Sequence, residues 1–226
     1  MNTQNILKGF AVLSAVAGLT ASAQATEITG TVGGSPVDVS YTIIASANTI
    51  TVTLNNLEAD PSSVIQLISG FSFNVSHGST SGATTVNTGS IIDVAGNGSF
   101  GTPTSDPLLG WGITQSGLNV HLSSLPQYLI IGAPDTGTGL YDDANGSIAA
   151  NPGHNPFTYK TATFTITDTG VNADTTFSDI TFYFGTTPST LDNPNTPPVP
   201  DGGSTVVLLG LAGLGLFAFV RKARTA

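Results

Sequence analysis

The feature that most constrains this chain is a repeated alternation of apolar and polar residues with a period of two. The alternation is clearest in five runs, at residues 37–43, 50–54, 71–75, 162–167 and 180–184. Successive side chains of a β-strand point to opposite faces, so such runs bury one face and leave the other in water. Their Val, Ile, Phe and Thr residues favour this pleated, half-buried setting. The alternation therefore predicts short strands rather than helices.

Further apolar runs extend this prediction to a whole domain. Additional strands are predicted near residues 27–32, 90–94, 111–115, 118–123 and 127–131. Clusters of Gly, Pro, Asn and Asp separate the runs, as is typical of turns. No segment between 26 and 198 has the pattern of a long amphipathic helix, although 57–67 has room for one or two helical turns around Pro61. Residues 96–109 and 132–155 are predicted as long loops. We expect an all-β, antiparallel β-sandwich of jelly-roll type.

Residues 1–25 have the pattern of a secretory signal peptide. Lys8 supplies a short positive region, an apolar run follows it, and small residues then provide Ala21-x-Ala23 and Ala23-x-Ala25. Signal peptidase accepts only small side chains at this spacing, so we expect Sec-dependent export and a cut after Ala23 or Ala25. The alternative is a permanent N-terminal membrane helix, for which the apolar run is short.

The C-terminal 28 residues contain three parts in a fixed order. The first is a turn-forming block, Val199, Pro200, Asp201, Gly202 and Gly203. The second is an apolar stretch over 204–220 that includes Val206, Leu208, Leu211, Leu214, Phe217 and Val220. The third is a basic end formed by Arg221, Lys222 and Arg224. Seventeen helical residues are roughly 25 Å long, enough for a short membrane span, and the basic end belongs in the cytoplasm. The alternative, a buried core helix, would normally leave a polar face.

This C-terminal arrangement resembles the PEP-CTERM class of sorting signals, and the Val199-Pro200-Asp201 start is most similar to the VPDSG-CTERM variant. Gly202 departs from that variant, which usually has Ser at this position. The resemblance implies that an exosortase cuts near the motif, that the span in the inner membrane is temporary, and that the protein passes to the cell surface or an exopolysaccharide matrix. The catalytic residues of that step belong to the exosortase.

The charge distribution limits the partners of the exported part. Residues 26–199 contain 13 acidic residues and one basic residue, Lys160. Nucleic acid is therefore not expected as a partner, because binding to phosphates needs clustered Lys and Arg. The chain has no Cys, which excludes disulfides and thiolate metal sites. We divide the chain into a signal peptide (1–25), a secreted β domain (26–185), a Pro- and Thr-rich linker (186–198) and the sorting segment (199–226).

The best metal candidate is an acidic loop with Asp135, Asp142, Asp143 and Asn145. Calcium takes six to eight oxygen ligands, which carboxylates, amides and carbonyls of such loops supply. Tyr141 occupies a position where an EF-hand would need an acidic residue, and no Glu closes the loop. An exposed acidic turn without metal is the simpler interpretation, so no cofactor is expected.

No catalytic residue is predicted. The G-x-G-x-x-G at 96–101 precedes a Pro-rich stretch rather than a helix, so it predicts a loop and not a nucleotide site. His77, His121 and His154 are too dispersed for a zinc pair. Trp111, Tyr128, Tyr141 and Tyr159 are aromatic side chains that sugar rings stack on, although a single Trp in a β domain more often lies in the core.

These features favour a non-enzymatic surface protein with a structural or adhesive role in the envelope or exopolysaccharide. One alternative is a carbohydrate-binding module, for which loss of glycan binding on Trp111→Ala would be diagnostic. The second alternative is a secreted polysaccharide hydrolase, for which two carboxylates converging in a cleft would be the structural indication.

Overall fold

The structure is a computed structural model that describes residues 22–108, 110–124, 126–186 and 189–192. The predicted signal helix, up to residue 21, and the whole predicted sorting segment, including its membrane helix, lie outside these residues. Among the helices of the described part, none has the length and apolar character to span a membrane.

The described residues form an all-β domain, as the alternation predicts. Its strands are β1 (Ser22–Val32), β2 (Ser35–Ser46), β3 (Thr49–Asn56), β4 (Ile68–Val75), β5 (Thr84–Ile92), β6 (Thr104–Asp106), β7 (Trp111–Ser116), β8 (Asn119–Ser124), β9 (Ile130–Ile131), β10 (Phe157–Thr167), β11 (Phe177–Phe184) and β12 (Ser189–Asp192). A single 3-10 turn, Val64–Gln66, follows Pro61 in the segment that has room for it in the sequence.

The strands form one mixed sheet with the order β1-β2-β3-β10-β9-β4-β11-β12. Strands β5 and β6 branch from β10, and β8 and β7 branch from β4. Strands β1 and β12, at the two ends of the order, contact each other, so the sheet wraps around its interior. The predicted all-β class is confirmed, but the pairing is not antiparallel throughout as predicted, because β9 and β10 pair in parallel.

The mixed pairing arises at a β-bulge in β10. Antiparallel pairing with β5 occurs on both sides of the bulge. On the other edge of β10, Thr158 and Tyr159 pair in parallel with β9 before the bulge, and residues 161–167 pair antiparallel with β3 after it. Lys160 lies in the bulge with φ 63°, a left-handed conformation. A bulge bends a strand and re-aims its edges, which lets one strand serve two parts of the sheet.

The core consists of the apolar members of the alternating runs. Its centre is an aromatic cluster of Tyr41, Phe71, Phe73, Phe177, Phe182 and Phe184, all less than 5% exposed. A second cluster lies under the 132–155 loop, where Tyr141 and Ile148 are fully buried. This long loop is therefore fixed to the domain by its own apolar side chains.

One part of the outward face of β2, β3, β10 and β5, next to Ser40 and Asn55, is almost entirely β-branched, and we call this part the threonine face. Its twelve positions are Thr42, Ile44, Ser46, Thr49, Thr51, Thr53, Thr84, Val86, Thr88, Thr163, Thr165 and Thr167. The register aligns them in rows, for example Thr42, Thr53, Thr163 and Thr88. Threonine suits an exposed strand because its branched side chain packs on the pleat and its hydroxyl faces water.

The sheet extends beyond both predicted domain boundaries. Strand β1 begins at Ser22, inside the predicted signal peptide, and β12 lies inside the predicted linker. Gln24 is 5% exposed and its side-chain amide donates to the hydroxyl of Tyr41 at 3.0 Å. A cut after Ala23 would keep this buried hydrogen bond, whereas a cut after Ala25 would remove it.

Candidate functional site

The carboxylates of Asp135 and Asp142 in the acidic loop accept hydrogen bonds from residues of the same loop. The Oδ1 atom of Asp135 accepts hydrogen bonds from the amides of Gly137 and Thr138, each at 2.8 Å. The Thr138 hydroxyl donates to Asp142. These amide hydrogen bonds hold the pKa of the Asp135 carboxyl below its ordinary value. Asp135 and Asp142 thus act as turn-capping residues.

Of the remaining predicted calcium ligands, Asn145 is hydrogen-bonded through its side chain and Asp143 through its backbone amide. Asn145 Oδ1 accepts from the amide and hydroxyl of Ser147, and the Asp143 amide donates to Asp60 at 3.2 Å. Asp60 therefore also lies beside the acidic loop, although no local sequence pattern indicates this. Burial raises the pKa of Asp60, and the negative charge of Asp143 raises it further, against the opposing effect of the Asp143 amide. Across the described residues, no three His, Asp or Glu side chains are grouped to hold a metal ion. The calcium hypothesis stays a prediction.

Two of the predicted sugar-stacking residues are core residues. Trp111 is 4% exposed and its indole N–H donates to the carbonyl of Tyr128 at 2.8 Å. Tyr141 is 1% exposed and its hydroxyl donates to the carbonyl of Gly132 at 2.8 Å. Stacking of a sugar on Trp111 is therefore wrong, because the ring has no free face. Tyr128 and Tyr159 are only partly buried.

The predicted glycine loop is confirmed, and the histidines lie in three separate places. Residues 96–101 form a turn closed by a bridge between Val94 and Phe100. His77 is exposed in a loop, and His154 contacts the carbonyl of Ser147. His121 lies on β8, as predicted, and lines a cleft.

That cleft has a volume of about 190 Å³ and lies on the outward side of β4, β8 and β11. The strand register explains which residues meet there. Gly70 of β4 lies between Ser123 of β8 and Tyr183 of β11. Ser72 of β4 is likewise paired with His121. The cleft is further lined by Ser69 and Ser124.

The absence of a side chain at Gly70 allows the Tyr183 ring to lie close to β4. A Cβ atom at Gly70 would be 3.2 Å from the Cβ of Tyr183 and 3.0 Å from the carbonyl oxygen of Leu122. The Tyr183 ring meets the His121 ring edge to face, with 4.8 Å between centroids. The Tyr183 hydroxyl is 3.3 Å from the hydroxyl of Ser72. These contacts hold both rings in place.

The cleft carries no formal charge, and its lining is more apolar than polar, with hydroxyl groups and one imidazole among the lining residues. Burial lowers the pKa of His121 below its ordinary value of 6.5, so the imidazole is neutral at neutral pH. A neutral imidazole has one donor and one acceptor, and each serine hydroxyl has both. Ser69 Oγ is buried and has no hydrogen-bond partner within the described structure. The arrangement is suited to an uncharged ligand that bears hydroxyl groups.

Sequence reasoning missed this cleft because its residues are far apart along the chain. The alternation at 180–184 does place Tyr183 on the outward face, next to Thr181. An aromatic side chain on an otherwise hydroxyl-bearing outward face was the available signal. Only the register of β4, β8 and β11 brings Tyr183 beside His121 and Gly70.

A second, more open cleft of about 290 Å³ is lined by Ile91, Asp93, Gly101, Thr104 and Pro156, among others. Asp93 is its one acidic lining residue, and the first cleft has none. Neither of these two described clefts brings two carboxylates together. Asp168, which is 1% exposed, accepts hydrogen bonds from Ser79 and Gln115 and so connects the loop at Ser79 with strand β7.

The comparison with protein families finds the VPDSG-CTERM motif at residues 198–223. The predicted resemblance of the sorting segment is thereby confirmed. Such a motif implies processing by an exosortase and a secreted, cell-surface destination. The match covers the C-terminal segment and not the β domain.

No curated protein matches the chain. Among solved structures, the KRT10-binding region domain of the pneumococcal serine-rich repeat protein PsrP matches with 13% identity and a TM-score of 0.26. That match covers 82% of this chain and 96% of the other. A protein described as a pore forming protein matches with 7% identity and a TM-score of 0.20, over 77% and 88% of the two chains. Similarity this low carries no argument about function.

Proposed function

We propose that this chain is an exported protein whose β domain has a structural or adhesive role in the cell envelope or exopolysaccharide. The observation that carries the proposal is the VPDSG-CTERM motif at residues 198–223, directly after a folded all-β domain. The signal peptide, the temporary inner-membrane span and the exopolysaccharide destination are parts of this proposal. The bilayer, signal peptidase and exosortase are its partners in transit.

The extent of the sheet shortens the distance between the domain and the membrane. The linker predicted over 186–198 would hold the domain roughly 40 Å from the bilayer if it were extended throughout. Because β12 occupies Ser189–Asp192, only residues 193–198 remain between the sheet and the turn-forming block that begins at Val199. Six extended residues reach at most roughly 20 Å. The domain would therefore stay close to the bilayer until the exosortase cuts.

The test is intact-mass spectrometry of the protein from fractionated cells, with and without the host exosortase. We expect the surface protein to lack the 204–226 tail, and we expect the tail to persist in the membrane fraction without exosortase. The double variant Pro200→Ala/Asp201→Ala should also keep its tail, whereas the control Asn195→Ala should be processed normally. A full-length chain in the cytosol, or normal processing of the double variant, would contradict the proposal.

Carbohydrate binding is the second candidate function, and the cleft at Tyr183 and His121 favours it. Its lining combines an aromatic ring with several hydroxyl groups and no charge. A hydrolase gains no such support, because the two clefts do not pair carboxylates as glycoside hydrolysis requires.

A further inference from the structure

We infer that the cleft formed by Gly70, His121, Ser123 and Tyr183 binds one sugar unit of a neutral glycan. This inference deepens the adhesive role proposed above, since it names the site and the chemical class of ligand.

The size of the cleft fits a single ring. Small-molecule sites usually measure roughly 300–1,000 Å³, whereas this cleft measures about 190 Å³. An oligosaccharide would not fit inside it. The volume allows one terminal sugar unit inside the cleft, with the rest of the glycan outside it.

The side chains of the cleft complement the two kinds of surface on a sugar. The apolar C–H face of a sugar ring packs on aromatic rings, and Tyr183 provides one that is held against Gly70 and His121. Sugar hydroxyls both donate and accept, as do the hydroxyls of Ser123 and Ser124.

Charge selects a neutral sugar over an acidic one. The residues lining the cleft include no Lys, Arg, Asp or Glu. The whole chain carries a formal charge of −9, so its field repels uronic acids and other anions. A cationic ligand would lack a carboxylate to pair with. A neutral hexose or N-acetylhexosamine is the class that remains.

The experiment is a titration of the full chain, held in a non-glycosidic zwitterionic detergent, with methyl glycosides of glucose, galactose, mannose and N-acetylglucosamine. Glucuronic acid is the charged comparison. Binding is measured by calorimetry and by protein-observed NMR. We expect at least one neutral glycoside to bind with a Kd on the order of 1 mM, as is reasonable for so few contacts. Glucuronic acid should bind at least about tenfold more weakly.

Variants of the cleft locate the site. Tyr183→Ala removes the stacking ring and should weaken binding about tenfold. Ser123→Phe places a ring in the cleft from a half-buried strand position and should abolish binding. Because Tyr183→Ala also loses packing, Ser123→Phe gives an independent test, and melting curves verify that each variant folds. The matched control Ser178→Ala, exposed on the same strand as Tyr183, should bind like the parent.

The inference is overturned if none of the neutral glycosides binds, or if binding survives both cleft variants. Preferential binding of glucuronic acid would also overturn it. These outcomes are separate from sorting, because the titration uses the unprocessed chain. Correct processing without sugar binding would contradict only the sugar-binding inference. Sugar binding without processing would contradict only the sorting proposal.

Discussion

At the scale of single residues, the identity of some residues in the domain is fixed because neighbouring backbone leaves no space for a Cβ atom. Gly132 follows β9, and a Cβ atom there would overlap the carbonyl oxygen of Glu58. The Tyr141 hydroxyl reaches the carbonyl of the same glycine. Sequence analysis found neither restriction, because the backbone contact joins segments far apart in the chain. Glycine is common in loops, so its presence alone did not single out this position.

We expect Gly132→Ala to destabilise the domain by about 3 kcal/mol, because the added methyl group must displace backbone rather than a flexible side chain. In a chain of this size that loss lowers Tm by roughly 6–12 °C. Gly146→Ala is the control, since a Cβ there would have no neighbour within 4 Å. Calorimetric melting of both variants measures the difference. Equal Tm values would show that the segment after β9 can shift freely.

Tyr141 gives the domain a specific sensitivity to alkali. Burial raises the pKa of its phenol above the ordinary value of 10.0. A raised pKa in the folded state means that stability is complete below about pH 10 and is lost as the pH rises further and the unfolded tyrosine ionises. Tyr141→Phe removes this ionisation and costs about 1 kcal/mol at pH 7 through the lost hydrogen bond.

The measurement is Tm as a function of pH for the parent and for Tyr141→Phe. The parent should be the more stable at neutral pH, and the gap should narrow or reverse above about pH 10. Parallel curves over the whole range would contradict the assignment. Tyr183→Phe is a useful control, since its hydroxyl lies at the surface cleft rather than in the second core cluster.

At the scale of elements, the alternation predicted β2, β3, β8 and β10 well because each buries one regular face. Strand β5 was predicted only at its end, by the strand expected near residues 90–94, because the exposure of its earlier part runs against its hydropathy. Val86 is 68% exposed on the threonine face, whereas Asn87 is 7% exposed and points inward. Asn87 is buried because its amide donates to the carbonyls of Trp111 and Leu108. Hydropathy alone does not reveal which carbonyls need a donor.

The exposure of Val86 and the burial of Asn87 lead to a prediction for β5 that is opposite to the one that hydropathy gives. Asn87→Val should destabilise the domain by about 1–3 kcal/mol, because it leaves those buried carbonyls without their donor. Val86→Thr should change stability by less than about 0.5 kcal/mol, because the site is exposed and both residues are β-branched. Chemical denaturation of the two variants decides the matter. If Asn87→Val proved the more stable variant, the inward orientation of Asn87 would be wrong.

Two other features, β12 and the bulge in β10, could also not be predicted from the sequence. The short β12 follows a Thr- and Pro-rich stretch that has the composition of a linker, and its strand character depends on pairing with β11. The bulge at Lys160 likewise depends on β9 meeting β10 in parallel. Both are tertiary effects that local propensity does not contain. The C-terminal motif was predictable because it is read locally, by order and spacing.

At the scale of the whole molecule, the dominant property is an unbalanced negative charge. The chain has 14 acidic and 5 basic residues, and only Lys160 among the basic ones lies between residues 26 and 199. The domain therefore cannot neutralise its carboxylates with ion pairs and relies on its apolar core and its hydrogen-bonded sheet. A compact state with such a net charge is destabilised by self-repulsion.

We expect salt to stabilise the domain at neutral pH by screening this repulsion. Raising NaCl from about 10 mM to about 300 mM should increase Tm by roughly 2–4 °C, which corresponds to about 1 kcal/mol in a chain of this size. Near pH 4, where many carboxylates are protonated, the same change in salt should have a much smaller effect. A Tm that does not respond to salt at pH 7, or responds equally at both pH values, would argue against self-repulsion.

The position of Lys160 at the β10 bulge has a consequence for how this protein meets proteases. A trypsin-like enzyme cuts only after Lys or Arg, so the stretch from 26 to 199 offers it one bond. That bond lies at the β10 bulge, beside the pairing of Thr161 with Asn55 of β3, and the ammonium group is 4.8 Å from the centre of the Tyr159 ring. A cell coated with this domain would present almost no substrate to such enzymes. Tryptic proteomics would also overlook it, whereas digestion at aspartate would yield peptides of ordinary length.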